Sequence, residues 1–137
     1  MSLVFSISAA SDIPIYRQII QHIRRGIVQG QLGLGEQLPA VRVLAEALVV
    51  NPNTAARAYQ ELIRDGLLES RNGVGVFVAE KKRQIFSKAE RERRLDAAIE
   101  QLLYEALLLD FPLPEVRTAL ENHWQALQSQ LSTRRKK

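Results

Sequence analysis

Apolar residues recur every three or four positions along most of this chain, and glycines and prolines cut the recurrence into segments. Ile15, Ile19, Ile23 and Ile27 step by four and are joined by Ile20 and Val28, which predicts a helix from Pro14 to Gln29 with Asp12 as its N-cap or near-cap. Gly30, Gly33 and Gly35 mark a loop. No Gly-Lys-Ser/Thr follows them and no strand–glycine–helix order surrounds them, so they do not read as a nucleotide-phosphate loop. Val41, Leu44, Ala45 and Leu48 predict a short helix from Ala40 to Leu48, and Val49-Val50-Asn51 separates it from a second helix whose inner face is Ala55, Ala58, Tyr59, Leu62 and Ile63. So short a link suits a helix-turn-helix corner.

The punctuation around the second of these helices is specific. Asn51 suits an N-cap and Pro52 the first helical position, where a missing N–H would be unpaired anyway. Gly66 stands where a helix end favours a residue tolerant of positive φ. Leu67 to Ala79 then reads as a two-strand hairpin with Gly73 and Gly75 at its tip, and Leu3 to Ile7 as an edge strand.

Beyond the hairpin, Glu80 to Ser87 is a charged linker passing into a helix. Lys81, Lys82, Arg83, Arg91, Arg93 and Arg94 make it basic, with Glu90 and Glu92 interspersed. Mixed charge of this kind reads as a solvated helical face, with phosphate contact as the alternative because the segment follows the hairpin. Leu95, Ile99, Leu102, Ala106 and Leu109 step by three or four, Pro112 and Pro114 break the chain, and Val116, Leu120, Trp124, Leu127 and Leu131 resume the spacing. The expected element is a helical hairpin whose apolar faces are too broad for it to hide alone, so a second copy is expected to cover them. Leu95, Ile99, Leu102, Leu109, Leu120, Trp124 and Leu127 are the expected dimer contacts. Trp124 reads as an interface or core anchor rather than part of a ligand box.

The run from Pro14-Ile-Tyr16 through Leu38-Pro39-Ala-Val-Arg42, Asn51-Pro-Asn-Thr54 and Arg71-Asn-Gly-Val-Gly-Val-Phe77-Val resembles the DNA-binding domain of GntR-family bacterial transcription regulators. The short tail and the wording Val-Asn-Pro-Asn-Thr with Arg57-Ala-Tyr59 look like the YtrA-type subfamily. The resemblance implies a homodimeric protein, usually a repressor, on a double-stranded, palindromic DNA operator. It places DNA contacts on Arg42, on Asn53, Thr54 and Arg57, and on Asn72 and Gly73. Arg71 and Gly75 join this set from the hairpin itself. Better-known relatives carry an arginine where this chain has Ala56, so Arg57 takes a related but displaced position. Within the set Arg57 is expected to reach a base edge, the alternative being a surface ion pair with Glu61, and Arg42 to grip a phosphate.

The fold class expected is therefore mainly α with a small β-wing. A winged helix-turn-helix domain covers 12–80, with the helix-turn-helix at about 39–58 and the wing at about 67–79, and a helical dimerisation region covers 84–131. Composition adds little to this. The formal charge is +4, yet residues 1–80 balance seven arginines against seven acids, so the excess lies wholly in the tail. Placement of arginines, not their sum, argues for DNA. The absence of cysteine excludes disulfides and thiolate metal sites. Met-Ser-Leu-Val-Phe is no signal peptide and no apolar run is long enough for a membrane, so a cytoplasmic protein is expected. His22 and His123 are isolated and no triad context exists, so neither an enzyme, a metal nor a cofactor is expected, and no effector pocket is visible. The alternative function is a winged-helix module for protein–protein assembly, which an apolar recognition helix and wing would favour.

Overall fold

The computed structural model describes residues 7–80 and 86–135, with side chains of the last helix described through Ser129. The expected edge strand at 3–7 and the basic residues Lys81, Lys82 and Arg83 lie outside the described residues or at their margin. The described chain falls into two compact units, one on each side of residues 81–85.

The first unit is built from α1 (Ile15–Val28), α2 (Val41–Leu48), α3 (Pro52–Arg64), β1 (Leu68–Arg71) and β2 (Gly75–Val78). The four-residue isoleucine spacing of α1 puts Ile19 and Ile23 wholly inside. Pro14, not Asp12, occupies the N-cap, and no side chain caps the helix. Its carbonyl accepts the Arg17 and Gln18 amides, while the nearby Ser11 hydroxyl accepts the Ile13 N–H. Gln18 is buried and fully paired: its amide nitrogen donates to the Ser8 and Ile13 carbonyls at 2.9 and 2.8 Å, and its oxygen accepts the Ser8 N–H at 2.9 Å. That pairing removes the cost of burying an amide and ties residues 8–13 to the core.

α3 packs across both α1 and α2. Ala55, Ala58, Tyr59 and Leu62 are buried, joined by Leu44 and Ala45 of α2 and by Leu32, Leu38, Leu68 and Val78. Val41, Leu48 and Ile63 sit half-buried at the margin of this core. Asn51 caps α3 as the sequence predicts, accepting the Asn53 N–H at 2.8 Å, with Pro52 in the first turn. The corner itself contains an unpredicted conformation. Val49 adopts φ 55 and is 89% exposed, while the amides of Val49 and Val50 close the end of α2 on the carbonyls of Glu46 and Ala45. A β-branched residue in the left-handed region is strained, and here helix closure requires it.

β1 and β2 pair antiparallel, from Leu68 opposite Val78 to Arg71 opposite Gly75. The Val74 amide donates to the Arg71 carbonyl across the tip, and Gly73 at φ 74 supplies the positive φ that this turn needs. Residues 35–38, expected only as loop, run along the far side of β2: Leu38 N–H donates to Val76, Val78 N–H to Glu36 and Gly35 N–H to Val78. The wing is thus braced on both edges of its second strand.

The second unit holds α4 (Lys88–Leu108) and α5 (Leu113–Arg135). Ser87 caps α4 by accepting the Glu90 N–H at 3.1 Å. Asp110 at φ 60 ends it, with the Phe111 amide on the Ala106 carbonyl. The break falls at 109–112. Pro114 does not break the chain but lies in the first turn of α5, where it deprives the helix of no bond. The two helices do not bury each other's stripes. Among described side chains in either helix, Ala106 alone is buried.

Candidate nucleic-acid interface

The first turn of α3 presents Asn53 and Arg57 to solvent, with Thr54 half-buried between them. Their exposure follows from the cap: Asn51 and Pro52 start the helix so that Ala55, Ala58 and Tyr59 face inward. Arg42, in the first turn of α2, is exposed and has no hydrogen-bond or ion-pair partner among the described residues. Asn72, Gly73 and Val74 form the exposed tip of the wing.

Arg57 does not stand alone. Its guanidinium lies 3.8 Å from the centre of the Tyr16 ring, its Nη2 donates to the Tyr16 hydroxyl at 3.2 Å, and its Nε is 3.6 Å from Glu61. The ion pair with Glu61 is therefore present, and Tyr16 of α1 adds a second hold. Arg17 Nε also donates to the Tyr16 hydroxyl, at 3.3 Å, and this bond raises the Arg17 guanidinium above its ordinary pKa.

Arg71 is drawn back onto its own hairpin. It stacks 4.1 Å from the Phe77 ring centre and its Nη2 lies 3.7 Å from Glu69 and 3.5 Å from Glu80. Gly75 is needed for its φ of 142, which a side chain rarely adopts; a Cβ there would also stand 2.7 Å from Gln37 Nε2 and displace that side chain, which donates to the Val74 carbonyl at 3.1 Å. A Cβ at Gly73 would meet nothing within 4 Å. No hydrogen bond or ion pair joins Arg42, Asn53, Thr54 and Arg57 to one another among the described residues.

Sequence reasoning passed over Tyr16, Arg17 and Gln37 as site residues. Tyr16 was visible only as part of the Pro14-Ile-Tyr16 resemblance, because its partner Arg57 lies 41 positions away. In the second unit, Leu95, Ile99, Leu102, Leu109, Leu120, Trp124 and Leu127 are all exposed, Trp124 to 62%. Arg93 and Arg94 both pair with Glu90, and Arg94 stacks on Phe86 at 3.8 Å. No described helix is long and apolar enough to cross a membrane.

Two short helices joined through a tight corner, the second capped and polar at its start, followed by a braced hairpin, define a winged helix-turn-helix protein. The profile of the gntR family of bacterial regulatory proteins matches residues 15–78. The chain is 35% identical over 113 residues to the HTH-type transcriptional regulator YhcF of Bacillus subtilis, covering 81% of this chain and 93% of that one. It is 40% identical over 77 residues to the HTH-type transcriptional repressor YtrA of the same organism, covering 56% of this chain and 59% of YtrA. The solved structure of a transcriptional antiterminator from Listeria monocytogenes is similar at a TM-score of 0.78 and 28% identity, over 93% of this chain and 94% of that one. The chain belongs to the gntR family of bacterial regulatory proteins, a family of transcriptional regulators and not of enzymes. The YtrA resemblance drawn from Asn51-Pro-Asn-Thr54 and Arg57-Ala-Tyr59 agrees with the YtrA relative.

Proposed function

We propose that this chain is a homodimeric repressor that occupies a palindromic operator. The observation that carries the DNA reading is the exposed polar start of α3 between an inward apolar face and a free wing tip. In this reading Asn53 and Thr54 meet base edges in the major groove, where amide and hydroxyl groups find donors and acceptors. Arg42, unpaired and at the start of α2, takes a backbone phosphate, since the first helix of this motif crosses the backbone. Asn72 and Gly73 bring the wing tip to the groove or its phosphates. Arg71 and Gly75 support that tip, the first through Phe77 and Glu80, the second by leaving room for Gln37.

Dimerisation rests on the tail, residues 84–131. An apolar stripe on two long helices that leaves Leu95, Ile99, Leu102, Leu109, Leu120, Trp124 and Leu127 in water calls for a covering surface. A second copy supplies the same stripe in return and pairs two reading heads for two half-sites. Repression follows the YtrA relative, which is a repressor. The protein–protein alternative loses support because the start of α3 is polar rather than apolar.

Selection of bound fragments from random duplex DNA tests the proposal. An inverted repeat of one short motif is the expected product. Fragments that share no motif, held only at low salt, would remove the sequence-specific reading.

A further inference from the structure

We propose that the Tyr16 hydroxyl, flanked by Arg17 and Arg57, is a binding site for one phosphate oxygen of the DNA backbone, distinct from the α2–α3 corner and the wing. The proposal rests on the DNA-binding reading and adds α1 to it.

A phenol oxygen both accepts hydrogen bonds and has one proton to donate. Arg17 Nε at 3.3 Å and Arg57 Nη2 at 3.2 Å both donate to this oxygen, so its acceptor capacity is taken and its proton is left to point elsewhere. No acceptor for that proton exists among the described residues. Two cationic donors on one oxygen polarise the O–H and make it a better donor. The partner it suits is an anionic oxygen, because the same guanidiniums keep further N–H groups for a second and third bond.

The charge around the oxygen selects the same ligand. Among the described residues Glu61 is the one carboxylate ion-paired in this cluster, and it is shared between Arg57 at 3.6 Å and Arg64 at 3.9 Å. Two guanidiniums, Arg17 and Arg57, thus meet at the hydroxyl, and the carboxylate beside Arg57 is partly engaged by Arg64, which leaves a net positive site for a phosphodiester to neutralise.

The site is also fixed before any ligand arrives. The Tyr16 ring is half-buried against the core, and the Arg57 guanidinium lies on its face at 3.8 Å. Held in that way, the hydroxyl and the Arg57 guanidinium lose little freedom on binding. DNA is favoured over an acidic protein segment because Arg57 belongs to α3, the helix whose start carries Asn53 and Thr54.

The test uses the full chain and a duplex recovered by selection, with a shuffled duplex of equal length beside it. Tyr16→Phe keeps the ring and removes only the hydroxyl. It should weaken binding to both duplexes alike, about three- to tenfold, the value of one hydrogen bond, without changing the salt slope. Arg17→Ala should weaken both and lower the salt slope by about one unit. Replacing phosphates one at a time by uncharged methylphosphonate should reveal one position per half-site where the substitution weakens the wild type more than it weakens Tyr16→Phe, the guanidinium contacts being lost in both. Free phosphate cannot produce that positional pattern. If both variants, folded to the wild-type thermal midpoint, bind with wild-type affinity and slope, the site is overturned while the DNA reading stands. The site is equally overturned if Tyr16→Phe weakens the selected duplex alone, for that is a base contact. A wild type that binds neither duplex would instead overturn the DNA reading.

Discussion

The Tyr59 hydroxyl donates a 2.7 Å hydrogen bond to the carbonyl of Pro39, joining the middle of α3 to the residues that lead into α2. The ring is buried, so the bond operates away from water and fixes the spacing of the two helices of the corner. Tyr59→Phe leaves the Pro39 carbonyl without its partner and should cost about 1–2 kcal/mol, read as a lower urea midpoint at unchanged slope. Burial also raises the Tyr59 phenol above its ordinary pKa. Unfolded tyrosine ionises at about pH 10, so this contribution is intact below that pH and is lost as pH rises beyond it. The wild type should therefore lose stability above about pH 10 more steeply than Tyr59→Phe.

Gly75 and Gln37 form a second coupled pair. Gly75→Ala places a Cβ 2.7 Å from Gln37 Nε2 and holds a side chain at φ 142, and a loss of about 1–3 kcal/mol is expected. In a Gln37→Ala background the clash disappears and only the backbone cost remains. A double-mutant cycle on thermal or urea unfolding should give a coupling above about 0.5 kcal/mol. Additive losses would mean that Gln37 does not brace the wing tip.

Val49 stores strain in the corner. Val49→Gly relieves a β-branched residue at φ 55 with no apolar burial to lose, since the side chain is almost fully exposed. Relief of about 1–2 kcal/mol against a smaller glycine entropy cost should raise stability by roughly 0.5–1 kcal/mol. A lower unfolding midpoint would show that the valine packs in a way the isolated chain does not.

On DNA, Arg42→Ala and Asn53→Ala should separate holding from reading. The first should weaken all duplexes together and reduce the salt slope by about one unit. The second should cost about 1–3 kcal/mol on the selected duplex and flatten preference at one base pair per half-site. Arg57→Ala should behave like Arg42→Ala, because Tyr16 and Glu61 hold that guanidinium. Binding to single-base variants at several salt concentrations distinguishes these outcomes, and a lost base preference in Arg57→Ala would return the reading role to that residue.

The tail should answer to charge. Leu102→Glu introduces a carboxylate into the exposed stripe of α4 without touching the core of the first unit. Sedimentation should show a monomer, and operator affinity should fall roughly a hundredfold or more as the two half-site contacts become independent. A dimer of wild-type strength would place the interface elsewhere.

The features legible in the sequence are those set by neighbours a few positions apart. Isoleucines at four-residue spacing define the buried side of α1, Asn51-Pro52 starts α3 through a bond to Asn53 only two residues on, and Gly73 supplies the positive φ of a three-residue tip. These depend on helix period, cap chemistry and turn geometry, all of which act locally. Tertiary structure decided the rest, because each remaining feature needs partners that sequence distance hides. Gln18 is buried only because the chain before α1 folds back to offer Ser8 and Ile13. Residues 35–38 become part of the wing only once β2 presents a free edge to them, and Gln37 then reaches Val74 across 37 positions. The sequence predicts Arg57 on the outer face of α3, toward a base edge or paired with Glu61, and the residue is exposed and paired with Glu61. Its stack on Tyr16 arises because α1 and α3 cross at that level, and no local rule distinguishes an arginine free to read from one already held.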